Sequence, residues 1–409
     1  MNNNNLIKRI VTCQGSIQLV TALSVLDYRE QEQNINARYE NYLVVYDLNS
    51  PPGQIDAFAT AIEEMAQLIC DWKKITYITP EQMKDLASTS SSIQVSELVG
   101  TDGADEIYLS RNWQFGNQLL LDAYYSAEKI CYGDSIGIYF APDSKAFFVP
   151  QSLPKQLLTK LFKKPIDRTK SILGSTVLQS VDFDRGYFIL PYILNEEPPM
   201  PVTITDKASL LKIFIQLKSL VERDYISQLR QQIENTPVSI LLTSNFSEAG
   251  RMSLAREIDA YSKFFNSRKI DPDSVLIIKP HPRDSSQKMA ALSRALSKLF
   301  RQVIVLAEAK LFFIPFEVLF TAAFLDENLN PTNKIEVFAF SSACLSLKLL
   351  FDVPSCIGFG AEITNEFFAR DYAPGRVKHE RDLQAALTKI QANEYINYEH
   401  PLAKTILDR

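Results

Sequence analysis

Residues Val275–Ser286 read VLIIKPHPRDSS, and the fold turns on how this stretch is read. Val275 to Ile278 is a short, continuous apolar run, the pattern of a strand buried on both faces of a parallel sheet. Pro280 and Pro282 then exclude helix around His281. Proline fixes its own φ, lacks an N–H and pushes the residue before it toward extended geometry. The chain has only three histidines. One of them, set between prolines directly after a strand, is presented by a turn rather than packed by default.

The same grammar repeats outward from this point. In the second half SILLTS, SVLIIKP, QVIVLA, KIEVFAF and SCIGF read as strands, and MSLAREIDAYSKFF and SSACLSLKLLF as helices between them. In the first half RIVTC, YLVVYDL, KITYIT and EIYLS read as strands, and KICYG and IGIYF as two more around a turn. SIQLVTALSVL, IDAFATAIEEMAQLI and FGNQLLLDAYYSA carry helical periodicity. Apolar runs alternating with helices imply βα units and parallel sheets covered on both faces. Residues 142–195 are less regular and read as an insertion, and Glu196–Pro201 (EEPPMP) reads as a linker or crossover. A long helix follows, with Leu210, Phe214, Leu217 and Val221 on one stripe. The expected fold class is α/β, with two Rossmann-like domains facing across a cleft. The first would span 1–197 and the second 204–379, with a helix over 380–409 packing back across the boundary.

Composition narrows the function. A chain of 409 residues, 46% hydrophobic, can bury two cores. Its net charge of −5 gives no footprint for nucleic acid. Five scattered cysteines without a CxxC pair suit a reducing compartment and offer no metal-ligand spacing. No cationic leader precedes a long apolar segment, and LFFIPFEVLFTAAFL is too short for a bilayer and contains Pro315 and Glu317. A soluble cytoplasmic protein is expected. Contact with the inner membrane surface would run through the basic stretch Lys155–Lys170, which reads first as a solvated helix face.

Ligands of open α/β sheets bind beyond the carboxyl ends of the strands, so the turns there are the candidate sites. After SILLTS come Asn245 and Glu248, with Thr243 and Ser244 at the strand end itself; after SVLII come Lys279 and His281; after QVIVLA comes the segment holding Glu317. After KIEVFAF, Ser341 and Ser342 open a helix. Two hydroxyls and free backbone N–H groups suit a phosphate or carboxylate, although one serine there is by itself an ordinary N-cap. In the first half, Asp134 lies in the turn of KICYGDSIGIYF, where turn chemistry and a cleft-facing general base are both open readings. Gly15, Ser16 and Gln18 after the first strand, and Arg111 and Asn112 after EIYLS, read first as cap and loop residues and second as acceptor contacts. No GxGxxG and no GxxxxGK[ST] occurs, which removes support for nicotinamide and P-loop chemistry.

These residues together resemble the bacterial sialyltransferases and polysialyltransferases of the GT-B fold. The HP motif matches as Lys279-Pro280-His281-Pro282, and FAFSSACLSLKLL is similar to the serine-rich motif. ILLTSNFSE resembles the strand and loop ending in Glu248, and IPFE the Pro-x-Glu segment at Glu317. The acidic motif, D/E-D/E-G in that family, departs from the pattern. In YGDSIG a glycine replaces the first acid and a serine the glycine, with Asp134 aligned to the second acid. The resemblance implies an inverting, metal-independent transfer of an acidic nonulosonate from a CMP-sugar donor to a glycan acceptor, with no cofactor. Asp134 would be the base and His281 would hydrogen-bond or protonate the departing phosphate. Ser341 and Ser342 would hold phosphate or the sugar carboxylate, and Glu317 the ribose. Lys279, Pro280, Pro282, Thr243, Ser244 and Glu248 would complete the donor pocket. The alternatives are an inactive GT-B protein that binds glycan or nucleotide in polysaccharide assembly, and a UDP-sugar enzyme of the same fold.

Overall fold

Each apolar run forms a strand and each following segment of helical periodicity covers it. The computed structural model describes residues 6–32, 38–48, 50, 53–89, 92–110, 115–133, 136–139, 182–194, 197–306 and 308–392. The basic stretch Lys155–Lys170 lies outside the described residues.

The first sheet contains β1 (Leu6–Cys13), β2 (Arg38–Val45), β3 (Lys74–Tyr77), β4 (Glu106–Leu109), β5 (Glu128–Cys131), β6 (Arg185–Phe188) and β7 (Val202–Ile204). Its strands are parallel in the order β3-β2-β1-β4-β5-β6-β7. Around it lie α1 (Ser16–Glu32), α2 (Ile55–Ile69), α3 (Pro80–Thr89), α4 (Ser92–Val99) and α5 (Phe115–Ala123). The connection to the second domain is α6 (Lys207–Leu217), a short 3-10 turn (Lys218–Leu220) and α7 (Arg223–Ile233). Asp206 starts α6 by accepting from the N–H groups of Ala208 and Ser209 at 2.9 and 3.1 Å.

The second sheet is β8 (Val238–Leu242), β9 (Val275–Lys279), β10 (Gln302–Val305), β11 (Ile335–Ala339) and β12 (Ser355–Ile357). It is parallel in the order β10-β9-β8-β11-β12. Its helices are α8 (Leu254–Asn266), α9 (Ser286–Leu296), α10 (Ala309–Phe313), α11 (Phe316–Ala323), α12 (Ala343–Phe351), α13 (Ala361–Phe367) and α14 (Ala373–Gln391). Two Rossmann-like domains in one chain are the GT-B arrangement. β8 and β9 are buried along their whole length, as central strands covered on both faces should be. Among the described residues no helix is long and apolar enough to cross a membrane.

One core continues across both domains. It joins Leu19 and Leu23 of α1 to Leu210, Phe214 and Leu217 of α6 and to Ile240 of β8. α6 is therefore the wedge between the sheets, and all four residues of its expected stripe are buried. The helix itself stops at Leu217, and Val221 reaches the same core in extended geometry.

Three expectations are corrected. The described part of IGIYF is not the expected strand: Ile136–Ile138 form a turn, with Ile136 at φ +62°, and Phe140 lies outside the described residues. The segment expected to divide the domains at 197 and 204 instead leads into β7, which pairs with β6 in the first sheet. The terminal helix begins at Ala373 rather than near Glu380, with a proline in its first turn, where the missing N–H costs nothing. It packs on α12 and α13 of the second domain. It also reaches the first, where Lys389 Nζ donates to the Ile193 carbonyl at 3.4 Å; residues 393–409 lie outside the described residues.

Candidate active site

Strand order locates the site. The strand order of the second sheet reverses between β8 and β11, and ligands of such sheets bind at that point. Register pairs Leu242 with Lys279 on one side and with Ala339 on the other. The turns holding Thr243–Ser244, Pro280–His281 and Phe340–Ser342 therefore leave the sheet side by side. In the first sheet the reversal lies between β1 and β4. Gly15 and Ser16 follow β1 there, whereas Arg111, Asn112 and Asp134 lie outside the described residues.

The histidine turn is held from within. Pro280 has no N–H to continue the ladder. The His281 N–H donates instead to Thr243 Oγ1 and to Asp284 Oδ2, both at 2.9 Å. Thr243 donates its hydroxyl to the same Asp284 oxygen, and Asp284 N–H closes the turn onto the His281 carbonyl at 2.8 Å. Below it lies Lys288, fully buried, within 2.5 Å of Glu257, 2.8 Å of Asp284 and 3.3 Å of Glu248. Its ammonium also donates to the Ser244 carbonyl at 2.6 Å. Burial disfavours the Lys288 charge, but Asp284 and Glu257 more than offset it and its pKa lies above the ordinary value. Glu248 further accepts from Ser285 N–H at 3.2 Å. Thr243 and Glu248 thus direct these bonds into the loop framework.

The imidazole of His281 is half-buried. Its Nδ1 accepts from Arg283 N–H at 3.1 Å, so the proton of the neutral ring sits on Nε2. Burial, helped by Arg283, Lys288 and Lys279, lowers its pKa to about 4. The resting ring is a neutral N–H donor.

Lys279 ends β9 with its side chain 8% exposed, its ammonium 5.1 Å from the Phe312 ring centroid. Burial lowers its pKa to about 8 against the opposing pull of Asp284 and Glu317. Glu317, in the first turn of α11, is buried, and its Oε1 accepts from Ser346 Oγ at 2.5 Å. Burial raises its pKa. Ser341 and Ser342 are both half-buried. Ser342 precedes α12 without a side-chain cap bond, so the ordinary N-cap role is not the one it fills.

In the first domain Ser16 is buried at the start of α1, and Gln18 Oε1 accepts from Gln14 N–H at 2.8 Å. The turn beyond Asp134 is tight. Gly137 has φ +68°, and an added Cβ would lie 2.9 Å from Thr21 Cγ2, so only glycine fits. The strand-end edges of the two domains meet where Phe58 of α2 stacks on Phe313 of α10, centroids 5.2 Å apart and planes 19° apart.

Sequence reasoning did not find Asp284, Lys288 or Glu257. Their signal was the i,i+4 pair Asp284/Lys288 astride a helix start, which on sequence alone reads as a solvated surface pair.

The family model for alpha-2,8-polysialyltransferase (POLYST) matches residues 9–323, which include the HP turn and Glu317 but not the serine turn. No curated protein matches the chain at a significant level. Among solved structures, a putative UDP-N-acetylglucosamine 2-epimerase from Listeria monocytogenes is 12% identical, with 94% of this chain and 90% of that one covered and a TM-score of 0.46. UDP-GlcNAc 2-epimerase from Neisseria meningitidis, bound to UDP-GlcNAc, is 9% identical, with coverages of 95% and 92% and a TM-score of 0.46. An alpha/beta-galactoside alpha-2,3-sialyltransferase from Photobacterium phosphoreum is 13% identical, with 97% of both chains covered and a TM-score of 0.44. Likenesses this distant do not bear on the chemistry.

Proposed function

The chain belongs to the alpha-2,8-polysialyltransferase family, whose model spans most of it, and from that premise we propose an inverting transfer of sialic acid or a related acidic nonulosonate. The donor is a CMP-sugar and the acceptor a glycan hydroxyl. The observation that carries this reading is the HP turn: a neutral Nε2–H donor and a buried lysine converge at the end of β9, beside a turn of two serines. Neutral donors and one buried cation suit a monoanionic phosphodiester or a carboxylate.

Asp134 takes the proton of the acceptor hydroxyl as that oxygen bonds to the anomeric carbon. The bond from that carbon to the CMP phosphate oxygen breaks, and His281 Nε2–H donates to the phosphate as its charge grows. The neutral ring keeps its proton and acts as a hydrogen-bond donor, so CMP leaves with the full extra charge on its phosphate and the acceptor's proton stays on Asp134. Lys279, Ser341 and Ser342 hold the anionic groups, and Glu317 Oε2, with Oε1 held by Ser346, takes ribose hydroxyls. No step needs a metal. Ile136, two residues beyond Asp134, is a β-branched residue in the left-handed region at φ +62°. Strain of that kind persists where the surroundings fix a functional loop.

The test compares CMP, UDP and GDP as stabilisers of the full chain, for wild type and Asp134→Asn, with transfer measured alongside. CMP at about 100 times its dissociation constant should add roughly 2.7 kcal/mol to both proteins. Transfer should fall about 100- to 10,000-fold in the variant alone. Stabilisation by UDP instead of CMP makes the protein a UDP-sugar enzyme. CMP binding without wild-type transfer makes it a binding protein.

A further inference from the structure

The last helix carries a buried ion pair that the proposed reaction does not use. Arg376 and Glu380 of α14 are 8% and 5% exposed, joined from Arg376 Nε to Glu380 Oε1 at 2.7 Å. Each also bonds backbone at the carboxyl edge of the second sheet. Arg376 Nη2 donates to the Phe340 carbonyl at 3.0 Å, and Phe340 is the residue before Ser341. Glu380 accepts from the N–H groups of Phe359 and Gly360, at 3.2 and 3.0 Å, just beyond β12. The guanidinium also lies 4.9 Å from the centroid of Phe246, in the loop after β8. One ion pair therefore touches the turns of three neighbouring strands, β8, β11 and β12.

The fit is close. Gly358 has φ +71°, and an added Cβ would fall 2.2 Å from the Glu380 carboxyl carbon, so the turn is shaped around the carboxylate. The rings of Phe340 and Phe359 pack 4.2 Å apart between centroids and leave the turns little room to shift. Glu380 thus takes the N–H groups of Phe359 and Gly360 that would otherwise face a ligand anion after β12. The neighbouring turn after β11, with Ser341 and Ser342, keeps that role.

We propose that the Arg376–Glu380 pair positions the serine turn for the donor's anionic group, acting through the Phe340 carbonyl and without touching the donor. This rests on the reading of Ser341 and Ser342 as phosphate or carboxylate ligands. It also gives a structural role to a helix beyond residue 323, where the family match ends.

The experiment measures CMP and cytidine affinities by calorimetry on the full chain, for wild type, Arg376→Met and Glu380→Gln. Losing a charged hydrogen bond that fixes the turn should weaken CMP roughly 10- to 100-fold in Arg376→Met. Cytidine, which lacks the phosphate, should stay within about twofold, because its contacts are made elsewhere. A merely structural pair would lower both affinities together, or neither, and that result overturns the proposal. Should Arg376→Met fail to fold, the CMP-to-cytidine ratio is read on Glu380→Gln, which keeps the native shape; an unchanged ratio there overturns it equally. Wild type that binds cytidine as tightly as CMP refutes the anion reading of the serine turn itself, a separate failure.

Discussion

The two domains each bury a cluster of charges, with the same chemistry at opposite edges of their sheets. In the first, Glu106 accepts from Arg9 Nε at 3.2 Å, Arg29 Nη2 at 2.7 Å and Tyr108 OH at 2.6 Å. Arg9 also pairs with Glu30 at 2.7 Å. Glu106 is the first residue of β4, so this cluster lies at the amino ends of the strands, away from the candidate site. In the second, Lys288 and its carboxylates lie beyond the carboxyl ends of β8 and β9 and hold the His281 turn. A buried ion network is weak evidence for net stability, since desolvation offsets much of the attraction. Its place along the strand direction tells more. The first network is a frame for the sheet, and the second is a frame for the loop that carries His281, the histidine of the proposed transfer.

The largest effect should separate the two. Lys288→Met leaves three carboxylates without their cation, and breaking a buried pair from one side costs about 3–5 kcal/mol. Transfer per folded molecule should also collapse, because Asp284 no longer holds the His281 N–H. Glu106→Gln should cost a similar amount of stability while the folded fraction keeps its kcat and donor KM. Chemical unfolding and steady-state kinetics on both variants check this. A Glu106→Gln enzyme with a changed donor KM, or a Lys288→Met enzyme with normal turnover, breaks the distinction.

The contrast also shows what the amino-acid order reveals. The alternation of apolar runs with helical stretches marked the strands of the second sheet, because central parallel strands are apolar on both faces. The HP turn was legible because two prolines leave few conformations open. IGIYF was misread because its apolar pattern is that of a strand, while the decisive property, left-handed backbone at Ile136 and Gly137, lies in the dihedrals. β7 was missed because Pro201 and its neighbours read as linker, though Met200 is buried in the first-domain core. Asp284/Lys288 and Arg376/Glu380 were missed for one shared reason. Opposite charges four residues apart are the ordinary pattern of an exposed helix face, and only tertiary packing buries them.

A smaller effect is expected from His281→Ala. The resting ring is neutral, so the variant loses one hydrogen bond to a charged phosphate, about 10- to 100-fold in transfer. It should stay folded, since the turn is held by backbone bonds to Thr243 and Asp284. The pH dependence of stability has a definite sign. With a folded pKa of about 4 against an ordinary 6.5, the unfolded chain binds the proton more readily. Wild type should lose stability as pH falls from about 6.5 toward 4, and His281→Ala should lose less over the same window. Parallel acid curves for the two proteins would place the imidazole in solvent, and would cut the link between the Lys288 network and a working histidine.

The smallest effect concerns Lys279, the last residue of β9, directly before Pro280. Burial puts its pKa at about 8, below the ordinary 10.5, so it is charged below that pH and neutral above it. Attraction for the donor's anion should therefore be complete below about pH 8 and fade as pH rises through it. Because kcat/KM for the donor reports groups of the free enzyme, its profile should bend downward there, by about one log unit per pH unit. Lys279→Arg carries a charge that does not titrate in this range. Whatever it costs in fit, it should remove the bend and leave the rest of the profile in place. Lys263, exposed on the far helix and paired with Glu362 at 2.9 Å and Glu366 at 2.6 Å, is the control, and Lys263→Arg should leave the bend unchanged. A wild-type profile flat to pH 9.5, or a bend that survives in Lys279→Arg, removes Lys279 from the donor pocket. The second network would then serve, like the first, only as a frame.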